Sequence, residues 1–546
     1  MHSGATRPVC TLAPQSGERV ASAHKRVYAR LRRAMGASRV RGKRPLRTRL
    51  INTGCASRER PLTPRSLRSG HPLPALRSVA ATLIGILAPG PAQAAAGLDG
   101  AALTWPWALP LIGILLTIAT GPLLFARFWH RHYGKLAFAW SALTLALLAT
   151  IFGPATAAAA FMHEMLTEYL SFIVLLFALY VVAGGILVTG ELRGTPLINT
   201  AMLAFGTLIA SVVGTTGAAM ILIRPLIRAN AARLHNVHVV VFFIFLVANI
   251  GGALSPLGDP PLFVGFLHGV DFFWTTRQLW FETALVAGIV LAVFVALDLW
   301  HYRKDRRIAT VGEGKRPMNI GVSGSINLLL IAGIIAAILA AAALKPTTSI
   351  DVYGTKLELQ NIARDAALVL IAILSLALTP SEHREANGFT WEPIAEVAIL
   401  FAGIFTCIIP VLAMLDAGEH GAFAWLLAAV TTRDGNPHEI AYFWLTGLLS
   451  AFLDNAPTYL VFFELAGGDA QELMGPLAGT LAAISMGAVY MGAMTYIGNA
   501  PNFMIYAIAV ERGVKMPSFF GYMLYSAVVL LPVFILLTFV LLARAA

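Results

Sequence analysis

The stretch NIGGALSPLGDPP, Asn249–Pro261, decides how this chain is read, because it interrupts a helix in the middle of a hydrophobic segment. An apolar run, Val237–Val247, precedes it, and another, Leu262–Trp274, follows. Gly251, Gly252 and Gly258 lack a Cβ, and Pro256, Pro260 and Pro261 offer no backbone donor, so continuous helix is disfavoured here. In hydrocarbon each unsatisfied backbone group is costly, and a break is tolerated only where it is buried in protein or lines an aqueous cavity. Asp259 sits in that break, where a carboxylate at the bilayer centre costs roughly 2.5–3.5 kcal/mol even on a lenient insertion scale. A kink with a solvated Asp in an external loop is the plain alternative. A binding site accounts for both the break and the carboxylate.

Composition supports the membrane reading. Of 546 residues, 57% are hydrophobic and only 12% charged, and the mean hydropathy is +0.73, outside the range of soluble domains. The net charge of +12 lies largely in the first eighty residues and in short loops. Positive-inside topology explains the loop charges, so no nucleic-acid partner is expected. Residues 1–77 are arginine-rich and lack an apolar period; they are expected to be a basic disordered arm or an extension upstream of the true translation start. Residues 78–95 read as a signal peptide, with a short apolar core and the small-residue motif Ala92-Gln93-Ala94. Cys10, Cys55 and Cys407 form no disulfide framework.

With cleavage near Ala94 the mature N-terminus lies in the periplasm, and the protein is placed in a bacterial inner membrane as a multi-pass chain. The first span is about Pro106–Ala126, and Arg127, Arg131 and Lys135 follow it on the cytoplasmic side. A second span, Leu136–Pro154, an interfacial segment, Met162–Glu168, and a third span, Tyr169–Thr189, come next. Pro196–Ile227 is apolar but interrupted at Gly214-Thr215-Thr216-Gly217; as one helix it would reach roughly 45 Å, beyond a core of about 30 Å. A re-entrant hairpin fits the length and the arginines at both ends; a long tilted helix is the alternative. The broken segment Val237–Trp274 and the span Leu279–Trp300 complete a first unit, residues 105–300. The linker 301–321 begins HYRKDRRIATVGEGKR, and its six Lys or Arg residues mark it as cytoplasmic.

Residues 322–546 repeat the plan with sides exchanged. A linking span, Ile326–Leu344, is followed by Ala366–Leu378 and Ile394–Leu415. A second hairpin, Glu439–Leu465, is broken at Asp454-Asn455-Ala456-Pro457, and a second broken segment, Pro476–Tyr506, at YIGNAPN, Tyr496–Asn502; Phe519–Leu542 is last. The expected fold is an all-α polytopic membrane protein of about ten transmembrane helices plus two re-entrant hairpins, in two inverted repeats with broken helices, a transporter architecture.

The four breaks offer Thr215, Thr216, Asn249, Ser255, Asp259, Asp454, Asn455, Thr458, Asn499 and Asn502. These are hard oxygen ligands or amide donors. Unwound carbonyls and half-helix C-termini suit cations, and half-helix N-termini suit anions. Asp259 and Asp454 come from different halves, and two acids near one site can alternately hold a metal cation, here transported Na⁺, and protons. Capping of a half-helix is the simpler role for each. No arginine lies in any break, which weighs against a large anionic substrate.

LSAFLDNAPTYLVFF, Leu449–Phe463, together with NIGGALSPLGDPP and YIGNAPN, resembles the ion transporter superfamily, in particular its NhaD-type sodium/proton antiporters and its citrate transporter family. The resemblance spans about Trp105–Leu542 and implies cation sites at hairpin tips and broken helices, and a possible homodimer. Asn249 and Asp259 match the antiporters' Asn-x-Gly-Gly and Gly-Asp positions, and Asp454 and Asn455 their second-hairpin Asp-Asn. The chain departs from the antiporters in its first hairpin, where Thr215-Thr216-Gly217-Ala218 replaces an Asp-Asn pair. YIGNAPN is closer to the Ile-Gly-x-x-Pro-Asn element of the carboxylate transporters.

The leading expectation is therefore secondary antiport of Na⁺, or Li⁺, against H⁺, with membrane lipid and small inorganic cations as partners and no bound cofactor. Symport of citrate or another di- or tricarboxylate with cations is the alternative. An intramembrane aspartyl protease would also use two membrane aspartates. Pro256-Leu257-Gly258-Asp259 lacks the first glycine of the Gly-x-Gly-Asp pattern, however, and that reading leaves the repeats unexplained. No His-Glu-x-x-His, Walker lysine loop or Cys-x-x-Cys motif points to an enzyme.

Overall fold

A computed structural model describes residues 98–545 apart from 191, 309–319, 345–347 and 434. The N-terminal extension, the signal peptide and most of the basic linker lie outside the described residues. Helix α1, Leu109–Leu124, is followed by α2, Ala126–Phe152, which ends at Gly153 with φ +90°. Pro154 then opens α3, Pro154–Glu164, its missing N–H costing nothing at a first helical turn. A π-helical turn, Met165–Tyr169, joins α3 to α4, Leu170–Gly184.

The expected interfacial segment at Met162–Glu168 is helical and continuous with the span that follows it. The helix runs on through those residues, giving a 31-residue apolar stretch, Pro154–Gly184. The run Ala157-Ala158-Ala159-Ala160 favours helix strongly, and the π turn absorbs an additional residue instead of ending it. The third span also stops at Gly184, because Leu187–Gly190 forms a strand, β1.

Helix α5, Pro196–Val213, is capped by Thr195, whose hydroxyl accepts from the Ile198 N–H, and it ends at Gly214. Gly214 has φ +79°, a conformation favouring glycine, and α6, Thr215–Ala229, starts immediately after it. The two helices fold back on each other: Asn199 near the start of α5 and Asn230 just past α6 exchange side-chain hydrogen bonds of 2.9 and 2.8 Å. That contact rules out a single tilted helix. In the second hairpin, α15, Glu439–Phe452, and α16, Asn455–Leu465, are likewise closed at the base, where the Tyr442 hydroxyl donates to the Leu465 carbonyl at 3.3 Å.

Between the hairpins lie α7, Val237–Leu246; α8, Pro260–Leu267; α9, Trp274–Ile308; α10, Ile326–Ala343; α11, Leu359–Leu378; α12, Ser381–Ala386; α13, Glu392–Asp416; and α14, Ala424–Ala429. After α16 come α17, Ala470–Met474; α18, Ala478–Met491; α19, Ala500–Glu511; and α20, Phe519–Ala545. Two small sheets were not foreseen: β1 pairs antiparallel with β2, Ile320–Ser323, and β3, Ser349–Val352, with β4, Thr355–Glu358.

Among the described residues nine helical stretches are long and apolar enough to cross a membrane, and Val237–Gly252, Glu439–Phe452 and Ala478–Met494 are shorter apolar helices. The chain is an all-α multi-pass membrane protein. Helix α7 is buried from His238 to Leu246, as expected of a helix apolar on every side. Helices α11 and α20 instead expose Leu370, Ile373, Val528 and Phe539, the surface a bilayer would cover. At the bases of α5, α6, α7 and α9, Asp298 is fully buried and accepts from Arg233 at 2.6 Å, His238 at 2.7 Å and Asn199 at 3.0 Å. A buried charge so paired ties these four segments into one block.

Candidate functional site

The segment GALSPLGDPP, Gly252–Pro261, recurs 240 positions later as GAMTYIGNAP, Gly492–Pro501, and the local geometry recurs with it. Ser255 Oγ donates to the Ser211 carbonyl, while Thr495 Oγ1 donates to that of Ala451 at 2.5 Å. The Leu257 N–H donates to Ser255 Oγ at 3.2 Å, and that of Ile497 to Thr495 Oγ1 at 3.3 Å. A Cβ on Gly258 would stand 2.1 Å from the Gly252 oxygen, and one on Gly498 2.7 Å from the Gly492 oxygen, so glycine is required by backbone approach in both copies. The first hairpin tip, Gly214-Thr215, has the same offset from the second, Asp454-Asn455.

The breaks sit close to their expected places, with two shifts. The first is a single residue, Gly214, because Thr215 is already helical. The fourth starts earlier than YIGNAPN, at the 3₁₀ turn Gly492–Met494. Each break ends where a new helix begins, so four N-termini meet around one pocket: α6 at Thr215, α8 at Pro260, α16 at Asn455 and α19 at Ala500. Each contributes a partial positive charge of about half a unit. That field offsets part of the cost of burying acids here.

Asp259 precedes α8 but does not cap it. Its carboxylate is instead held by three neutral donors: Thr215 Oγ1 to Oδ1 at 3.1 Å, Asn499 Nδ2 to Oδ1 at 3.0 Å, and Asn455 Nδ2 to Oδ2 at 2.5 Å. Both hairpin tips and the second broken helix therefore converge on one carboxylate. Because both amide NH₂ groups turn toward Asp259, Asn455 Oδ1 and Asn499 Oδ1 are left buried without a donor. Asp454 does cap its helix, Oδ1 accepting from the Ala456 N–H at 3.2 Å, and it lines the same pocket as Asp259.

That pocket has about 80 Å³ open to the centres of water-sized molecules, enough for several waters at roughly 10–15 Å³ each. Its polar lining comprises Thr215, Thr216, Asp259, Asp454, Asn499 and Tyr180, and no Lys, Arg or His is among its lining residues. The remaining sequence candidates do a different job. Ser255 and Thr458 spend their hydroxyls on the Ser211 and Asp454 carbonyls. Asn249 and Asn502 join the two broken helices, Asn249 Nδ2 donating to Asn502 Oδ1 at 2.8 Å, and Asn502 Nδ2 ties down the Gly492 and Thr495 carbonyls. They position the site without lining the pocket.

Sequence reasoning missed Ser211, which donates to the Gly251 carbonyl at 2.6 Å and accepts from the Leu254 N–H at 3.1 Å, locking hairpin to break. The 240-residue repeat carries no signal for it, since Ala451 stands in the equivalent place. Glu164 and Glu282, buried within long helices, were also passed over.

An all-α multi-pass protein in which half-helices from two corresponding sets meet at a pocket holding two buried carboxylates is a membrane transporter. Residues 100–542 match the model of the family described as "Putative citrate transport", and the chain belongs to that family. The resemblance carried by Asn249–Pro261, Leu449–Phe463 and Tyr496–Asn502 is thus borne out at the level of the family. No curated protein matches the chain.

Proposed function

We propose that this transporter exchanges Na⁺ or Li⁺ for H⁺ at the pocket between the four half-helix termini. The observation that carries this reading is the base-free surround of Asp259 and its sharing of one pocket with Asp454. Two carboxylates share a pocket whose lining holds no basic side chain, and two amide oxygens, Asn455 Oδ1 and Asn499 Oδ1, are buried without donors. Hard oxygens of this type suit a small alkali cation, and the same carboxylates take protons when the cation leaves. Asp259 is the group both tips close on, and Asp454 is its partner across the pocket. In this reading the protein is a bacterial inner-membrane protein with a periplasmic mature N-terminus, surrounded by lipid and assembled as a homodimer.

The test is Na⁺- and Li⁺-induced collapse of a pH gradient in proteoliposomes, wild type against Asp454→Asn. Exchange in the wild type that the substitution abolishes is the expected result; no cation response in the wild type would refute it. Symport of citrate or a similar carboxylate with cations is the second reading, favoured by the family's description and by the four N-termini facing the pocket. Uptake of labelled citrate distinguishes the two.

A further inference from the structure

Helices α8 and α16 pack side by side, and both begin at the pocket, at Asp259 and Asp454. Their C-termini therefore also lie together, roughly 12–16 Å away at 1.5 Å per residue. There His268, just past α8, contacts Glu464 in the last turn of α16, with Nε2 3.7 Å from Oε1, and its ring packs on Phe463. On the other side His268 Nδ1 is 3.6 Å from Glu168 Oε2. Glu168 belongs to the π turn, a feature frequent at functional sites, and Glu164 immediately precedes that turn.

Glu164 is only 6% exposed, and its Oε1 is buried without a hydrogen-bond partner. The charges of Glu168 and Glu464 act on it. From α13, Asp416 adds a further negative charge that acts on Glu464, and among the described residues His268 is the basic group that acts on it. A buried carboxylate with an unpartnered oxygen beside like charges is strongly unfavourable when charged. Something positive must be supplied to it.

We propose that Glu164, Glu168, His268 and Glu464 form a second ion-handling site whose ligand is the proton, serving as the exchange station between the bulk phase and the Asp259–Asp454 pocket. Among the described residues no group of three or more His, Cys, Asp or Glu side chains is placed to hold a metal ion. His268 Nδ1 donates to the Val264 carbonyl at 2.9 Å, which fixes the tautomer and turns the Nε2 lone pair toward Glu464. A proton leaving the Glu464 carboxyl for Nε2 gives a carboxylate and an imidazolium, and the imidazolium then lies between Glu464 and Glu168. Return of that proton to Glu464 restores the starting ring, whereas loss of the Nδ1 proton to Glu168 leaves the neutral ring in its other tautomer and breaks the bond to the Val264 carbonyl. The charge-based topology puts this end of the two half-helices on the periplasmic side.

The inference deepens the exchange reading and rests on it, so the two are separated by measuring proton binding directly. Infrared difference spectra of the whole protein in lipid, stepped between about pH 8 and about pH 4 to bracket ordinary carboxyl and imidazole titration, report protonated carboxyls by their deuterium-sensitive C=O band. A band lost in Glu164→Gln but retained in Asp259→Asn and Asp454→Asn is expected, together with a several-fold slower proton flux in Glu164→Gln and His268→Gln at unchanged KM for the cation. If Glu164→Gln does not fold, Glu464→Gln is read for the same band. A band insensitive to both Glu substitutions, or proton flux unchanged in the folded variants, overturns the proposal. Absence of cation-driven flux in the wild type would refute exchange alone, and the band would still decide this site.

Discussion

Replacing Asp259 by Asn keeps the volume of the side chain and removes one charge and one acceptor. In the wild type Thr215 and Asn499 donate to Oδ1 and Asn455 to Oδ2. An asparagine has a single oxygen, so if that oxygen serves Thr215 and Asn499, its NH₂ confronts the NH₂ of Asn455. Asn455 relieves this by rotating its amide, which uses the Oδ1 now left without a donor. The fold therefore survives, and the loss falls on the cation. A contact involving a charged group contributes about 1.5–3 kcal/mol, and at 1.4 kcal/mol per decade this weakens apparent Na⁺ affinity roughly 10- to 150-fold. The assay is the Na⁺ dependence of pH-gradient collapse in proteoliposomes, run at several pH values with expression and melting temperature as controls. In the wild type the half-saturating Na⁺ concentration rises as pH falls, because protons and the cation compete for the same carboxylates; in Asp259→Asn that slope flattens. A folded Asp259→Asn protein with wild-type Na⁺ affinity and pH slope would refute the reasoning.

Backbone approach in the two repeat copies ranks a pair of substitutions: Gly258→Ala is more disruptive than Gly498→Ala, since the added Cβ meets a backbone oxygen at 2.1 Å rather than 2.7 Å. Overpacking of this type costs about 1–3 kcal/mol, and equal melting temperatures for the two variants would contradict the ranking. Asp298→Ala strips Arg233 and His238 of their shared partner, a loss of about 3–5 kcal/mol for a broken buried pair; thermal unfolding in detergent should show a lowered midpoint, and an unchanged one would show that the block is held elsewhere. Ser211→Ala leaves the Gly251 carbonyl and the Leu254 N–H without this partner, at about 1–3 kcal/mol for each group that stays unsatisfied. Because Ser211 lies outside the pocket lining, its loss should slow transport through displacement of the break, and full wild-type exchange in that variant would remove it from the positioning set.

The amino-acid sequence by itself determined where helices cross and where they break. Gly and Pro act through their own backbone, so Asn249–Pro261 and the Gly214 turn were legible without knowledge of any neighbour. Hydropathy likewise marks lipid-facing helices residue by residue, while helix propensity and a π turn keep the chain helical through Met162–Glu168. Tertiary structure decided which polar groups serve the pocket. Thr215 and Thr458 are the same residue type at the tips of corresponding hairpins, yet one hydroxyl reaches Asp259 and the other bonds back to Asp454 of its own turn. Glu164, Glu168, His268 and Glu464 come from three separate segments, and nothing along the chain announces that they meet. Hydrogen bonding and Coulomb interaction depend on distance through space, which is set only when the helices pack.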